Sequence, residues 1–194
     1  MSNVDLKEAA KPRGKDETKA ALLSAANELF GLKGPDSVSV RDVAAHAGVN
    51  HALLHRHFGS KESLLREVLL DHAIVFREAA SAAPDSALAA VEMAAIAAAR
   101  PAFTKILAQL LISGHLPNEF ALEDGGVSRL TKRRTEENEG GEGLNNAQLE
   151  VAHAMALMFG WTLFSPFLLY ATGFKGTESE ANDFINMAIE NTLI

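Results

Sequence analysis

Four of the seven histidines, His46, His51, His55 and His57, fall in the first third of the 194-residue chain, among Arg41, Arg56 and Lys61. Two chemistries suit such a set. His51 and His55 are four apart, so on a helix they would share a face and could hold a metal ion. A stable metal site needs more ligands. The chain has no cysteine and no His-Glu-x-x-His pattern, so no metal is expected. The other chemistry is contact with a polyanion, in which imidazole and guanidinium groups meet phosphate oxygens and base edges. The lack of cysteine also excludes disulfides and thiolate nucleophiles. No Gly-x-Ser-x-Gly elbow, P-loop or dinucleotide-binding glycine pattern occurs. No catalytic residue or cofactor is therefore assigned, and a helical enzyme or a ligand-binding protein that ignores DNA is a remote alternative.

Charge distribution permits the polyanion reading. The whole chain carries a net charge of −7, but residues 1–66 hold 10 Lys and Arg against 8 Asp and Glu. Residues 67–194 hold 8 against 17. A weakly basic head on an acidic body fits a protein that meets phosphate at one end only. The N-terminal residues MSNVDLKEAAKPRGKDE are too polar for a signal peptide. Residues 151–171 come close to a membrane span, but glycine and proline interrupt them, and a buried interface helix is the expectation. A cytoplasmic protein with no membrane partner is expected.

The elements that would position these residues are all helical, about nine in number, with no strand alternation and no internal repeat. Residues 1–15 read as a flexible basic arm carrying Lys11, Arg13 and Lys15. Residues 16–60 read as one domain, and residues 61–194 as a second, with 61–80 as the connecting helix. A first helix runs from about Asp16 to the stop at Gly34-Pro35. Ser39 with Asp42 three residues on is a capping-box start. Gly48 ends that short helix, and Asn50 can cap the next over residues 51–58. Gly59-Ser60 then precedes the helix beginning at Lys61.

Two such short helices need a shared core. Val40, Val43, Ala44 and Ala47 give one apolar face, and Val49, Leu54 and Phe58 give the other. Gly48 can take the turn conformation between them. This is a helix-turn-helix whose second helix leaves His51, Ala52, His55 and Arg56 facing outward, with a length that suits the DNA major groove. Arg41 and Lys61, with the hydroxyls of Ser39 and Ser60, sit at helix starts where they can meet backbone phosphates. Leu53 either meets a thymine methyl or is buried. Protonation of the crowded histidines would strengthen non-specific DNA binding as pH falls.

The stretches SVSVRDVAAHAGVNHALLHRHFGSKESLLREVL and AALLSAANELFGLKG resemble the DNA-binding region of the TetR family of bacterial transcription regulators. The match covers roughly residues 18–70. It implies a homodimeric repressor, less often an activator, that binds a palindromic double-stranded operator and is released by a small ligand. It also implies recognition through residues 51–58 and a phosphate contact at Lys61. Three positions depart from the common pattern. Asn50 stands where serine or threonine is usual, His55 where tyrosine is common, and Leu53 where a small polar residue is common. Operator sequence is therefore not readable.

In the body, the run AHAMALMFGWTLFSPFLLYATG is apolar on nearly every face and needs two sets of partners. Ala152, Ala156 and Gly160 offer a narrow face for close helix packing, and Phe184, Ile185 and Ala188 on the last helix could complete an intersubunit four-helix bundle. Met93, Phe103, Leu107, Leu110, Phe120, Met155 and Phe159 could line a cavity for a largely apolar, unidentified effector. His72, Gln109, His115 and His153 are the polar candidates. Ordinary core packing is the competing reading for each. A dimeric DNA-binding protein without any effector is the principal alternative.

Overall fold

The computed structural model describes residues 14–120, 125–138 and 143–194. Among them lie ten helices, nine of seven residues or more, and no strand. The all-α expectation holds. Most of the basic arm, residues 1–13, and the side chain of Phe120 lie outside the described residues. The chain divides into two compact units, one ending at Val68 and the other beginning at Leu69.

The first unit contains α1 (Lys15–Lys33), α2 (Val40–His46), α3 (His51–Phe58) and the opening turns of α4 (Lys61–Ala82). Leu22, Ala26, Leu29 and Phe30 recur at helical spacing and are all buried, which is why α1 forms against its neighbours. Val38, Val43, Leu54 and Leu64 complete a closed apolar centre. The short helices α2 and α3 are too brief to persist alone. A four-residue connection, residues 47–50, joins them. In it the Gly48 N–H donates to the Ala45 carbonyl at 3.1 Å and the Val49 N–H to the Ala44 carbonyl at 2.9 Å. Gly48 has φ 67°, a region that costs most other residues roughly 1–2 kcal/mol.

The second unit holds the rest of α4 with α5 (Ser86–Ala99), α6 (Pro101–Ile112), α7 (Pro117–Phe120), α8 (Gly126–Glu137), α9 (Gly143–Thr172) and α10 (Glu178–Asn191). Pro101 opens α6, and α5 and α6 meet at 87°. The alanine-rich α5 lies at the centre. Ala89, Ala90, Met93 and Ala97 pack into one core with Phe76, Leu130, Val151, Met155, Met158 and Ile189. Small residues on α5 let its neighbours approach closely. The same is true of Gly126, where an added Cβ would lie 2.8 Å from the backbone of Phe76.

Two arginines of the basic segment α8 turn inward, while Arg129 and Lys132 stay exposed. The Arg133 guanidinium donates to the Ala83 carbonyl, and Arg134 Nε donates to Glu150 on α9 at 2.5 Å. Arg134 also reaches the Ile194 carbonyl at 3.2 Å. Glu137 accepts from the backbone and hydroxyl of Ser86, at the start of α5. These contacts tie α8 to three other parts of the body.

The stretch Asn145–Thr172 of α9 is long and apolar enough to cross a membrane by length and composition. Gly160 and Pro166 fall within it. Its Val151, Ala154, Met155 and Met158 flank is buried in the body core. The flank carrying Ala152 and Ala156 is exposed, as are Phe164, Phe167, Leu168 and Tyr170.

Candidate functional site

The N-terminal ends of α2 and α3 are built by side-chain caps. Ser39 and Asp42 form a reciprocal capping box: the Ser39 N–H donates to Asp42 Oδ2 at 2.8 Å, and the Asp42 N–H donates to Ser39 Oγ at 3.2 Å. The Ser39 hydroxyl, and then its N–H, hold the Asp42 carboxyl below the ordinary carboxylate value. Asn50 Oδ1 accepts from the Ala52 N–H at 2.9 Å and so fixes where α3 begins. Leu54 and Phe58 anchor one face of α3 in the core.

The opposite face is presented to solvent. His51, Ala52, His55 and Arg56 are all exposed, as are Ser39, Arg41 and Asn50. Leu53 is half-buried, between the two roles open to it. The far end of α3 is clamped: the Gly59 N–H donates to the His55 carbonyl at 2.9 Å, and His55 Nδ1 lies 3.0 Å from the Gly59 carbonyl. A carbonyl only accepts, so this contact places the neutral ring's proton on Nδ1 and leaves Nε2 an acceptor.

Lys61 is half-buried, and its Nζ donates to the Pro35 carbonyl at 3.0 Å. One of its three donors is thus used within the head. Ser60 Oγ accepts from the Ser63 N–H at 3.1 Å and caps α4. Two further contacts have no signal in local sequence. His46 Nε2 lies 2.9 Å from Glu28 and joins α2 to α1, while Lys19 meets Glu67 at 3.2 Å and lies over the Phe58 ring. Among the described residues no group of three metal-ligating side chains comes together.

The body residues separate into three groups. Met93, Leu110 and Met155 are buried, the first and last in the core, with Phe103 and Phe159 packed against it. Leu107 is half-buried. A cleft of about 370 Å³ opens elsewhere, between α5, α9 and α10, and none of these residues lines it. Ala152, Ala156 and Phe184 are exposed, while Gly160, Ile185 and Ala188 are half-buried. A Cβ added at Gly160 would meet open space.

The polar candidates also diverge. His72 is buried with its ring 5.3 Å from Phe103, and burial, followed by the Arg100 charge, pushes its pKa down. His115 pairs with Glu119 at 2.9 Å, and His153 is exposed. Sequence reasoning passed over Thr104, whose hydroxyl is buried with no hydrogen-bond partner among the described residues.

Comparison with known proteins matches this arrangement. Residues 22–68 match the family model described as bacterial regulatory proteins, tetR family. The HTH-type transcriptional repressor Rv3405c of Mycobacterium tuberculosis (strain ATCC 25618 / H37Rv) is 36% identical over 185 residues, covering 94% of this chain and 92% of that protein. The transcriptional regulator SCO4942 from Streptomyces coelicolor shares the fold, with TM-score 0.67 and 17% identity over 90% of this chain and 97% of that one. PfmR, a TetR family regulator from Thermus thermophilus, does so with TM-score 0.60 and 22% identity over 89% and 93%. With its capped helix-turn-helix and a relative matched over nearly its whole length, the chain belongs to the TetR family of DNA-binding transcriptional regulators, a family of non-enzymes.

Proposed function

We propose that the protein is a cytoplasmic homodimeric repressor that binds a palindromic operator and is released by a small, largely apolar effector. The observation that carries the DNA contact is the exposed face of α3, with His51, Ala52, His55 and Arg56 on a helix capped at Asn50 and seated by Leu54 and Phe58. Ser39, Arg41 and Lys61 are assigned to backbone phosphates, Lys61 through the donors that Pro35 does not occupy. Repression is read from the mycobacterial relative, which is named a repressor. The seam is assigned to Ala152, Ala156 and Gly160 on α9 and to Phe184, Ile185 and Ala188 on α10. Two recognition helices one duplex turn apart then follow from twofold symmetry.

The burial of Met93, Leu110 and Met155 favours a second reading, in which the body is a dimer scaffold without an effector. The cleft between α5, α9 and α10 supports the first. Under the first reading, an effector must bind the released form more tightly than the DNA-bound form. Displacement of α4, which carries residues of both units, is the proposed link.

The test is binding of the purified protein to DNA from its own upstream region at fixed salt. Saturable binding to one fragment is expected, with Arg56→Ala weakening it by about 1–3 kcal/mol while non-specific binding changes little. Equal loss on specific and random DNA would move Arg56 from base readout to phosphate contact. Weak, salt-sensitive binding to every upstream fragment counts against the operator assignment.

A further inference from the structure

We infer that the cleft between α5, α9 and α10 is a binding site for a small uncharged molecule carrying an aromatic ring and a carboxamide-like group. This places the effector of the preceding reading and rests on that reading for its regulatory consequence alone. The cleft holds about 370 Å³, inside the range of small-molecule sites. Its floor is a strip of α5 formed by Ala94, Ala95, Ala98 and Ala99, where side chains end at Cβ and leave room for a flat ring. Trp161 forms a wall. Its indole N–H donates to Asn182 Oδ1 at 2.8 Å, which fixes the ring and leaves the Asn182 amide protons as donors.

One turn along α10, Asn186 lines the same space and makes no side-chain hydrogen bond to any described residue. A carboxamide can both donate and accept, so it suits a ligand that does the same. Thr162 also lines the cleft, but its hydroxyl donates to the Met158 carbonyl at 2.8 Å. Among the described residues, no acidic, basic or histidine side chain lines the site. A charged ligand would lose its hydration there without gaining a counter-charge.

The cleft and the proposed seam share one residue. At 3.6 residues per turn, Met158, Trp161 and Thr162 lie roughly opposite Ala152, Ala156 and Gly160 on α9. On α10, Asn182 and Asn186 lie roughly opposite Phe184 by the same geometry, and of the residues assigned to the seam Ile185 alone also lines the cleft. A partner subunit on the seam leaves the cleft open to a ligand.

The experiment uses the full chain labelled with 5-fluorotryptophan. Trp161 is the single tryptophan, so one fluorine resonance reports on the cleft. Titration with 2-naphthamide should shift it saturably, and 2-naphthoate should bind at least tenfold more weakly. Ala98→Phe, on the exposed strip of α5, should remove the shift, and Asn186→Leu should weaken binding at least fivefold. Ala95→Leu takes the place of Ala98→Phe if that variant fails to fold. No saturable shift, equal binding of amide and carboxylate, or a shift that survives the filled cleft overturns the site. So does a ligand-free resonance that moves as the dimer is diluted to monomer, since a partner side chain would then be the occupant. Operator release is read in the same samples. Binding without release keeps the site and sinks the effector reading; release by a compound that leaves the resonance unmoved keeps that reading and overturns the site.

Discussion

Phe184→Glu is expected to sediment as a folded monomer at micromolar concentration, and the unaltered protein is expected to sediment as a dimer. Phe184 is 71% exposed in the single chain, and Tyr170 is 86% exposed. With Phe164, Phe167, Leu168 and Met187 they form a run of exposed apolar groups on α9 and α10. Contiguous apolar surface of that kind marks an interaction face. Burying one phenylalanine contributes about 2–3 kcal/mol. Twofold symmetry uses each position twice, so one substitution removes about 5 kcal/mol from the dimer. That corresponds to more than roughly a thousandfold in the dimer dissociation constant. Operator affinity should fall with it, because a monomer presents one recognition helix. Folding should survive, since the side chain supports little of the body core. A variant that remains dimeric and binds DNA normally would exclude this face as the seam.

The second large effect is expected at Arg134. Its buried guanidinium holds Glu150 at 2.5 Å and reaches the Ile194 carbonyl. Arg134→Met keeps much of the volume but strands the carboxylate and the carbonyl. The cost should be about 2–3 kcal/mol, below that of a fully buried pair because Glu150 retains some contact with water. Urea unfolding should show it as a lower midpoint with an unchanged slope. The pH dependence follows from Glu150, whose carboxyl is held below its ordinary value by the hydrogen bond from Arg134 and, less strongly, by one from Asn138. A depressed carboxyl pKa stabilises the fold above the unfolded value near 4.5 and loses that contribution as pH falls through the folded value. The difference between the two proteins should therefore shrink below about pH 4.5. A constant difference from pH 7 to pH 3 would mean that Arg134 acts by packing alone.

The head was legible in sequence because its determinants are local. Ser39 finds Asp42 three residues away, Asn50 finds Ala52 two away, and Gly48 turns the chain between them. The contacts that escaped notice span longer separations: His46 with Glu28, Lys61 with Pro35, Arg134 with Ile194. Charge counts cannot separate an arginine that faces solvent from one that meets a carbonyl sixty residues later. The cleft was missed for a different reason. Large apolar and sulfur-bearing residues suggest cavity lining, yet Met93 and Met155 are buried in the body core and neither lines this cleft. Room is left where side chains are short, and the alanines of α5 read simply as good helix formers.

The cap at Asn50 has an electrostatic consequence. Where side chains cap α2, α5 and α10, a carboxylate stands at the helix start: Asp42, Asp85 and Glu180 respectively. These anions answer the partial positive charge, about half an elementary unit, that aligned peptide dipoles place at a helix N-terminus. Helix α3 starts on a neutral amide and has no acid in its first turn. Its fold is secured by a hydrogen bond that leaves this charge unanswered by the helix itself. The unbalanced end is on the helix assigned to DNA, so the missing anion can be supplied by the phosphate backbone.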